Sequence, residues 1–152
     1  MKKIMLILSL FLISISYSQF KDEATREKVL KQNNDTTQVD TSKNAIDLWF
    51  YRDAEKLKEL VENPNKDIWI IDVRLIEEFA KGHIPTAQLF TKSQIENRLN
   101  ELPKDKYLIL YCHSGVRSNM ALNILLDNGY FRNHLLNYGG IIDWPYEQEI
   151  GM

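Results

Sequence analysis

Tyr107-Leu-Ile-Leu-Tyr-Cys-His-Ser-Gly-Val-Arg-Ser118 is the stretch that decides the fold. Its first five residues, YLILY, carry no charge and are too few for a buried helix. They read as a strand covered on both faces, as in a parallel sheet packed between helices. The run ends at Cys112, the only cysteine among 152 residues. Gly115 supplies a turn, and NMALNILLD then sets Met120, Ala121, Ile124 and Leu125 at helical spacing. A side chain at such a strand-to-helix switch faces loop N–H groups and the positive end of a helix, both of which favour an anion. The thiolate is the nucleophilic form of cysteine, and helix starts with nearby cations lower a thiol pKa from ~8.5 to between ~3.5 and ~7.5. Arg117 supplies the positive charge, and His113 is a second candidate for it. An isolated cysteine is more often a small buried hydrophobe. Here it lies beyond the apolar run, with His, Ser, Gly and Arg close behind, which points to a reactive thiol at a partly exposed position.

Working outward, IWIID at Ile68 to Asp72 reads as a second buried strand ending in an acid. The VRLIEEFAKG that follows reads as a short helix stopped at Gly82. Before it, Trp49 to Tyr51 is expected as a first strand. Asp53 is expected to cap a helix whose positions Ala54, Leu57, Leu60 and Val61 share a face, with Asn63-Pro64-Asn65 as its end. After it, Ala87 to Phe90 is expected as a short strand, and Ser93 as the cap of a helix running to Leu102. His134 to Tyr138 is expected as a last strand, and Gly139-Gly140 turns into IIDW. Pro145 keeps any last helix short. Strands alternating with helices at these spacings make a parallel α/β sheet, in which ligands bind beyond the carboxyl ends of the strands. Cys112 and Asp72 both fall there.

At 44% hydrophobic and 26% charged, the chain has the composition of one ordinary globular domain. The first 18 residues differ: Lys2 and Lys3, an apolar run from Ile4 to Ile15, then Ser16-Tyr17-Ser18. They read as a secretory signal peptide cleaved before Gln19, so the protein is expected to be exported to the periplasm or beyond the cell. Left in place as a helix, Ile4 to Tyr17 would span ~21 Å, short of a ~30 Å hydrocarbon core. No cysteine follows this run, which speaks against a lipoprotein anchor. Residues 19 to 45 read as a polar spacer, and the domain is expected over 46 to 152. Without the leader, 17 basic residues face 21 acidic ones, a balance that does not suggest a nucleic-acid partner. A lone cysteine in an oxidising compartment cannot form an internal disulfide.

DVRLIEEFAKGHIP, YCHSGVRS and YGGIIDW, in this order, resemble the early signature, active-site loop and closing segment of the rhodanese family of sulfurtransferases, over about Trp49 to Trp144. The resemblance implies a three-layer α/β fold with a five-stranded parallel sheet, order 1-5-4-2-3, and helices on both faces. It implies that Cys112 takes a sulfane sulfur from a donor such as thiosulfate, holds it as a persulfide and passes it to a thiol or cyanide, with no metal and no cofactor. A thiol-bearing protein is a further candidate partner. His113, Ser114, Gly115, Val116 and Arg117 would form the binding loop, its backbone N–H groups cradling the outer sulfur. Arg117 has a bracing role open to it as well, paired with an acid. Asp72 and Arg74 are candidate supports: Asp72 by orienting the loop or capping the next helix, Arg74 by pairing with Glu78 four residues on. His83 is expected to be satisfied locally. His113 stands where many family members have arginine, and Thr86 where a glycine is common.

Two rival functions remain at this stage. Cysteine phosphatases and arsenate reductases also place a thiolate before a helix, but the phosphatases have five residues between Cys and Arg, against the four of HSGV. The tighter ring suits a sulfur atom better than a tetrahedral oxyanion. A rhodanese-like binding module without chemistry is the other rival, and retention of Cys112, Gly115 and Arg117 argues against it.

Overall fold

The computed structural model describes residues 45–152. The expected leader and nearly all of the polar spacer lie outside the described residues. The sheet has four parallel strands in the order β2-β1-β3-β4: β1 Ile68–Asp72, β2 Gln88–Leu89, β3 Tyr107–Cys112 and β4 Leu135–Gly140. Among the described residues four α-helices accompany them: α1 Ala54–Glu62, α2 Ile76–Lys81, α3 Lys92–Asn97 and α4 Val116–Asp127.

Every residue of β3 is buried, as a strand covered on both faces requires. Successive side chains point to opposite faces. Ile109 and Tyr111 join Ile70, Leu136 and Tyr138 in a layer with Leu57 and Leu60 of α1. Leu108, Leu110 and Cys112 join Ile71 and Leu135 in a second layer with Ile95 of α3 and Ala121, Leu122 and Leu125 of α4. Cys112 therefore lies on the α4 face, and alternation alone puts it under the start of that helix. Of the four α4 positions expected at helical spacing, Ala121 and Leu125 are buried, whereas Met120 is exposed.

The sheet departs from the expected five strands. Trp49 to Tyr51 belongs to a 3-10 turn, Leu48–Arg52, held by the Asp47 carboxylate accepting from Trp49 N–H. Only Leu48 of this turn is buried, so the segment lacks the two-sided cover that would favour a strand. It still occupies the β4 side of the sheet, where the Arg52 guanidinium donates to the Asn137 carbonyl at 2.9 Å. The remaining strands keep the expected order. Asp53 caps α1 as expected, accepting from Glu55 and Lys56 N–H. The cap of α3 is Thr91 rather than Ser93, in a reciprocal pair with Gln94, and the helix ends at Asn97; Leu99–Glu101 is a separate 3-10 turn. The short last helix is a single 3-10 turn, Ile141–Asp143.

Candidate active site

The loop after β3 joins a buried strand to α4 within three residues. Gly115, the residue before the helix, has φ 92°, and a Cβ there would sit 3.2 Å from Gly139 Cα. On the facing strand, a Cβ on Gly140 would lie 2.4 Å from the His113 carbonyl oxygen. Glycine at these two positions lets β4 and the loop touch backbone to backbone. The chain folds the cysteine back beneath its own helix.

Cys112 is 1% exposed, more enclosed than the sequence leads one to expect. Its Sγ accepts from Gly115 N–H at 3.1 Å, and the Ser118 hydroxyl lies 3.6 Å away. Burial pushes the thiol pKa up. Backbone and hydroxyl donors of Ser118, with the N–H groups of Ser114 and Gly115, outweigh it and hold the pKa below the ordinary thiol value. Ser114 and Gly115 lie within the four residues between Cys112 and Arg117, and Ser118 follows Arg117 in the first turn of α4.

Arg117 is held in a bidentate pair with Glu78 of α2, at 2.6 and 2.8 Å. The guanidinium, with a smaller contribution from the Leu75 N–H, holds the Glu78 carboxyl down at about 2 against the cost of partial burial. Bracing is thus the contact Arg117 makes, and its charge still acts on the neighbouring sulfur. The expected Arg74–Glu78 pair does not form. Arg74 turns back to Asp72, with Nε 2.8 Å and Nη2 2.6 Å from Oδ2, and also donates to the Gly82 carbonyl at 2.7 Å. Asp72 is fully buried and accepts from Arg74 N–H as well. It does not cap α2, whose preceding residue is Leu75. His113 and Ser114 are exposed at the loop surface. His83 stacks on Phe79, with its Nδ1 3.0 Å from the Phe79 carbonyl.

Two open clefts flank the loop. One of about 450 Å³ is bordered by His113, Arg74, Glu78, Lys81 and Ile142, and the other, of about 530 Å³, by Ser114, Gly115, Val116 and Met120. A larger cleft than these two, about 650 Å³, runs along the outer side of β4 between Trp49 and Arg132 and contains no residue of the Cys112–Ser118 loop. Its size is no guide to the chemistry.

Sequence reasoning missed three contributors. Ser118, buried beside the sulfur, was legible as the residue after the Cys-to-Arg loop. Asn137 was legible as the lone polar side chain in LLNY. Glu78, as the partner of Arg117, was not, since the two lie 39 residues apart.

A parallel α/β sheet that ends its central strand on a thiol, held by loop amides under a helix start, defines a class of anion-holding cysteine domains. Within that class, the chain belongs to the rhodanese-like domain family, whose model matches residues 53–145. It is 39% identical over 93 residues to a sulfurtransferase of Allochromatium vinosum, covering 60% of this chain and 84% of that one. Over 125 residues it is 29% identical to the tRNA uridine(34) hydroxylase of Photorhabdus laumondii, covering 78% of this chain and 34% of the hydroxylase. Among solved structures, it resembles a rhodanese-like domain protein from Staphylococcus aureus with TM-score 0.56 and 34% identity, covering 65% of this chain and 95% of the other. The sulfurtransferase relatives support sulfur transfer in general as the activity of a chain of this kind.

Proposed function

We propose that the protein is an exported sulfurtransferase that carries one sulfane sulfur on Cys112. The observation that carries this reading is the ring of donors closing on a single sulfur atom from Ser114, Gly115 and Ser118. In the first half-reaction the Cys112 thiolate attacks the sulfane sulfur of a donor such as thiosulfate. The Cys112–sulfur bond forms as the sulfur–sulfite bond breaks, and sulfite leaves with the electron pair. In the second, cyanide or a thiolate attacks the outer sulfur and the Cys112 thiolate is expelled, so no external oxidant or reductant is needed. The loop amides offset the negative charge in both steps.

The rim favours a thiol carried by a protein as the acceptor. Leu75 and Ile76 follow β1, Val116 and Met120 follow β3, and Ile142 follows β4; all five are exposed at the carboxyl edge where Cys112 lies. An apolar rim fits a polypeptide surface better than a small anion. The Arg117 charge is also matched by Glu78, which leaves less pull on a free anion.

Intact mass after treatment with thiosulfate is expected to gain one sulfur, to lose it with cyanide, and to stay unchanged in Cys112→Ser. A protein that never acquires the sulfur overturns the reading. Export has its own test: amino-terminal analysis of secreted protein is expected to begin at Gln19, and a start at Met1 overturns it.

A further inference from the structure

The Ser118 hydroxyl has one proton and four acceptors within reach. Asn137 Oδ1 lies at 2.8 Å, the Gly115 carbonyl at 3.1 Å, the Gly139 carbonyl at 3.5 Å and Cys112 Sγ at 3.6 Å. The shortest contact draws the hydroxyl toward Asn137 and away from the sulfur. Asn137 also reaches the loop with its other end: Nδ2 donates to the Gly115 carbonyl at 3.2 Å, while Oδ1 accepts from Gly139 N–H at 3.1 Å. Asn137 alternates with Leu136 and shares the α4 face with Leu135, directly opposite Leu110. The pairing then skips to Tyr111 opposite Gly139, leaving Tyr138 as the extra residue of a bulge. Bulges re-aim side chains beside functional sites. This one places the Asn137 amide between the bulge and the cysteine loop.

We propose that Asn137 is a positioning residue for the reactive sulfur. By holding the Ser118 hydroxyl and the Gly115 carbonyl, it sets how far the Ser118 proton is shared with Cys112 as charge arrives at and leaves the sulfur. A hydrogen bond to an ion is about twice as strong as one between neutral groups, so a thiolate competes with the Asn137 carbonyl for that proton. Once Sγ is bonded to an outer sulfur, the charge has moved one atom outward, and the hydroxyl returns to Asn137. The thiolate is thereby stabilised only while it exists. The other charged and titratable groups around the loop are Arg117 of α4, Glu78 of α2, the Asp72–Arg74 pair at the end of β1, His113 of the loop, and Arg52 and Asp143 on the β4 side. None of these touches Ser118 Oγ. This role in the transfer cycle rests on the proposed function, whereas the tuning of the thiol does not.

The test uses the full chain and its single cysteine, with the rate of alkylation by iodoacetamide followed against pH. Asn137→Leu keeps the branching of the side chain at Cγ and removes the competing acceptor. It is expected to lower the midpoint by ~0.5 to 1 pH unit, part of what a full hydrogen bond to an ion confers. The plateau rate is expected to fall about twofold, since thiolate nucleophilicity follows basicity with a slope of ~0.4 to 0.5. In a Ser118→Ala background, the same substitution is expected to leave the midpoint unmoved. Asn137→Asp strengthens the hold on the hydroxyl and is expected to raise the midpoint, by less when Ser118 is alanine; it carries the test if the leucine variant fails to fold. A midpoint unchanged in both variants, or equal shifts with and without Ser118, overturns the proposal. Alkylation needs no sulfur donor, so this result is independent of whether thiosulfate loads the protein.

Discussion

Two arginine–carboxylate pairs flank α2, and they do different work with the same chemistry. Asp72 and Arg74 are two residues apart, their side chains 0% and 6% exposed, and Arg74 also grips the Gly82 carbonyl just past the helix end. Glu78 and Arg117 are 39 residues apart, with side chains 31% and 33% exposed, and join α2 to the first turn of α4 beside the sulfur. The inner pair fixes where α2 sits. The outer pair uses that placement to hold the active-site loop. An ion pair sealed from water is costly to break, because the surviving charge is left buried without a counter-ion. One at the surface contributes little to stability and is free to serve the chemistry.

Breaking the inner pair is therefore expected to have the larger effect. Asp72→Ala leaves the Arg74 guanidinium buried without its carboxylate and should cost ~3 to 5 kcal/mol, a large share of a typical domain stability. Urea unfolding reads this as an early midpoint, and a loss below ~1 kcal/mol would erase the distinction between the pairs.

The outer pair should show itself in function and in acid. Glu78→Gln is expected to cost no more than ~1 kcal/mol at neutral pH. By releasing the Arg117 charge toward the donor, it is expected to lower KM for thiosulfate by ~3-fold, within the range such a pair energy allows. The sign of the pH effect follows from the depressed carboxyl. Its stabilisation is complete above the unfolded value of 4.5 and is lost as pH falls toward about 2. Unfolding curves of the two proteins should therefore converge across that window; parallel curves would mean that the Glu78 charge has no part in stability.

The smallest effect is expected at a site touching neither pair. Thr86 has φ 67°, in the left-handed region that costs a branched residue ~1 kcal/mol or more. Thr86→Gly removes that strain but loosens the unfolded chain, so the net gain should lie between zero and ~1 kcal/mol. A destabilised variant would show that the threonine side chain holds the turn, and would remove it as a neutral reference for the pairs.

Thr86 also shows what the sequence carried. The likeness marked Thr86 as a departure from the family's glycine, and the backbone angle had to come from the structure. The sheet order was legible because buried parallel strands announce themselves as uncharged β-rich runs, as in IWIID and YLILY. WFY has the same residue types without the burial, since propensity is local and cover is not. Cys112, Gly115 and Arg117 were legible because they sit within six residues of one another. The Glu78 and Asn137 contacts join elements distant in sequence, and no spacing rule reaches across 39 or 22 residues. For Arg74, the helical rule favoured a partner four residues on. That rule holds only for residues inside a helix, and α2 begins two residues later, at Ile76.

The contact between Ile46 N–H and the Tyr107 hydroxyl, 3.0 Å, gives the domain a polarity. Tyr107 opens the central strand and Cys112 closes it, five steps and ~17 Å away. The backbone at Ile46 is tied to a side chain rooted at the pole opposite the chemistry. A label placed at Ile46 would therefore report on the base of the central strand, a strand's length from the sulfur.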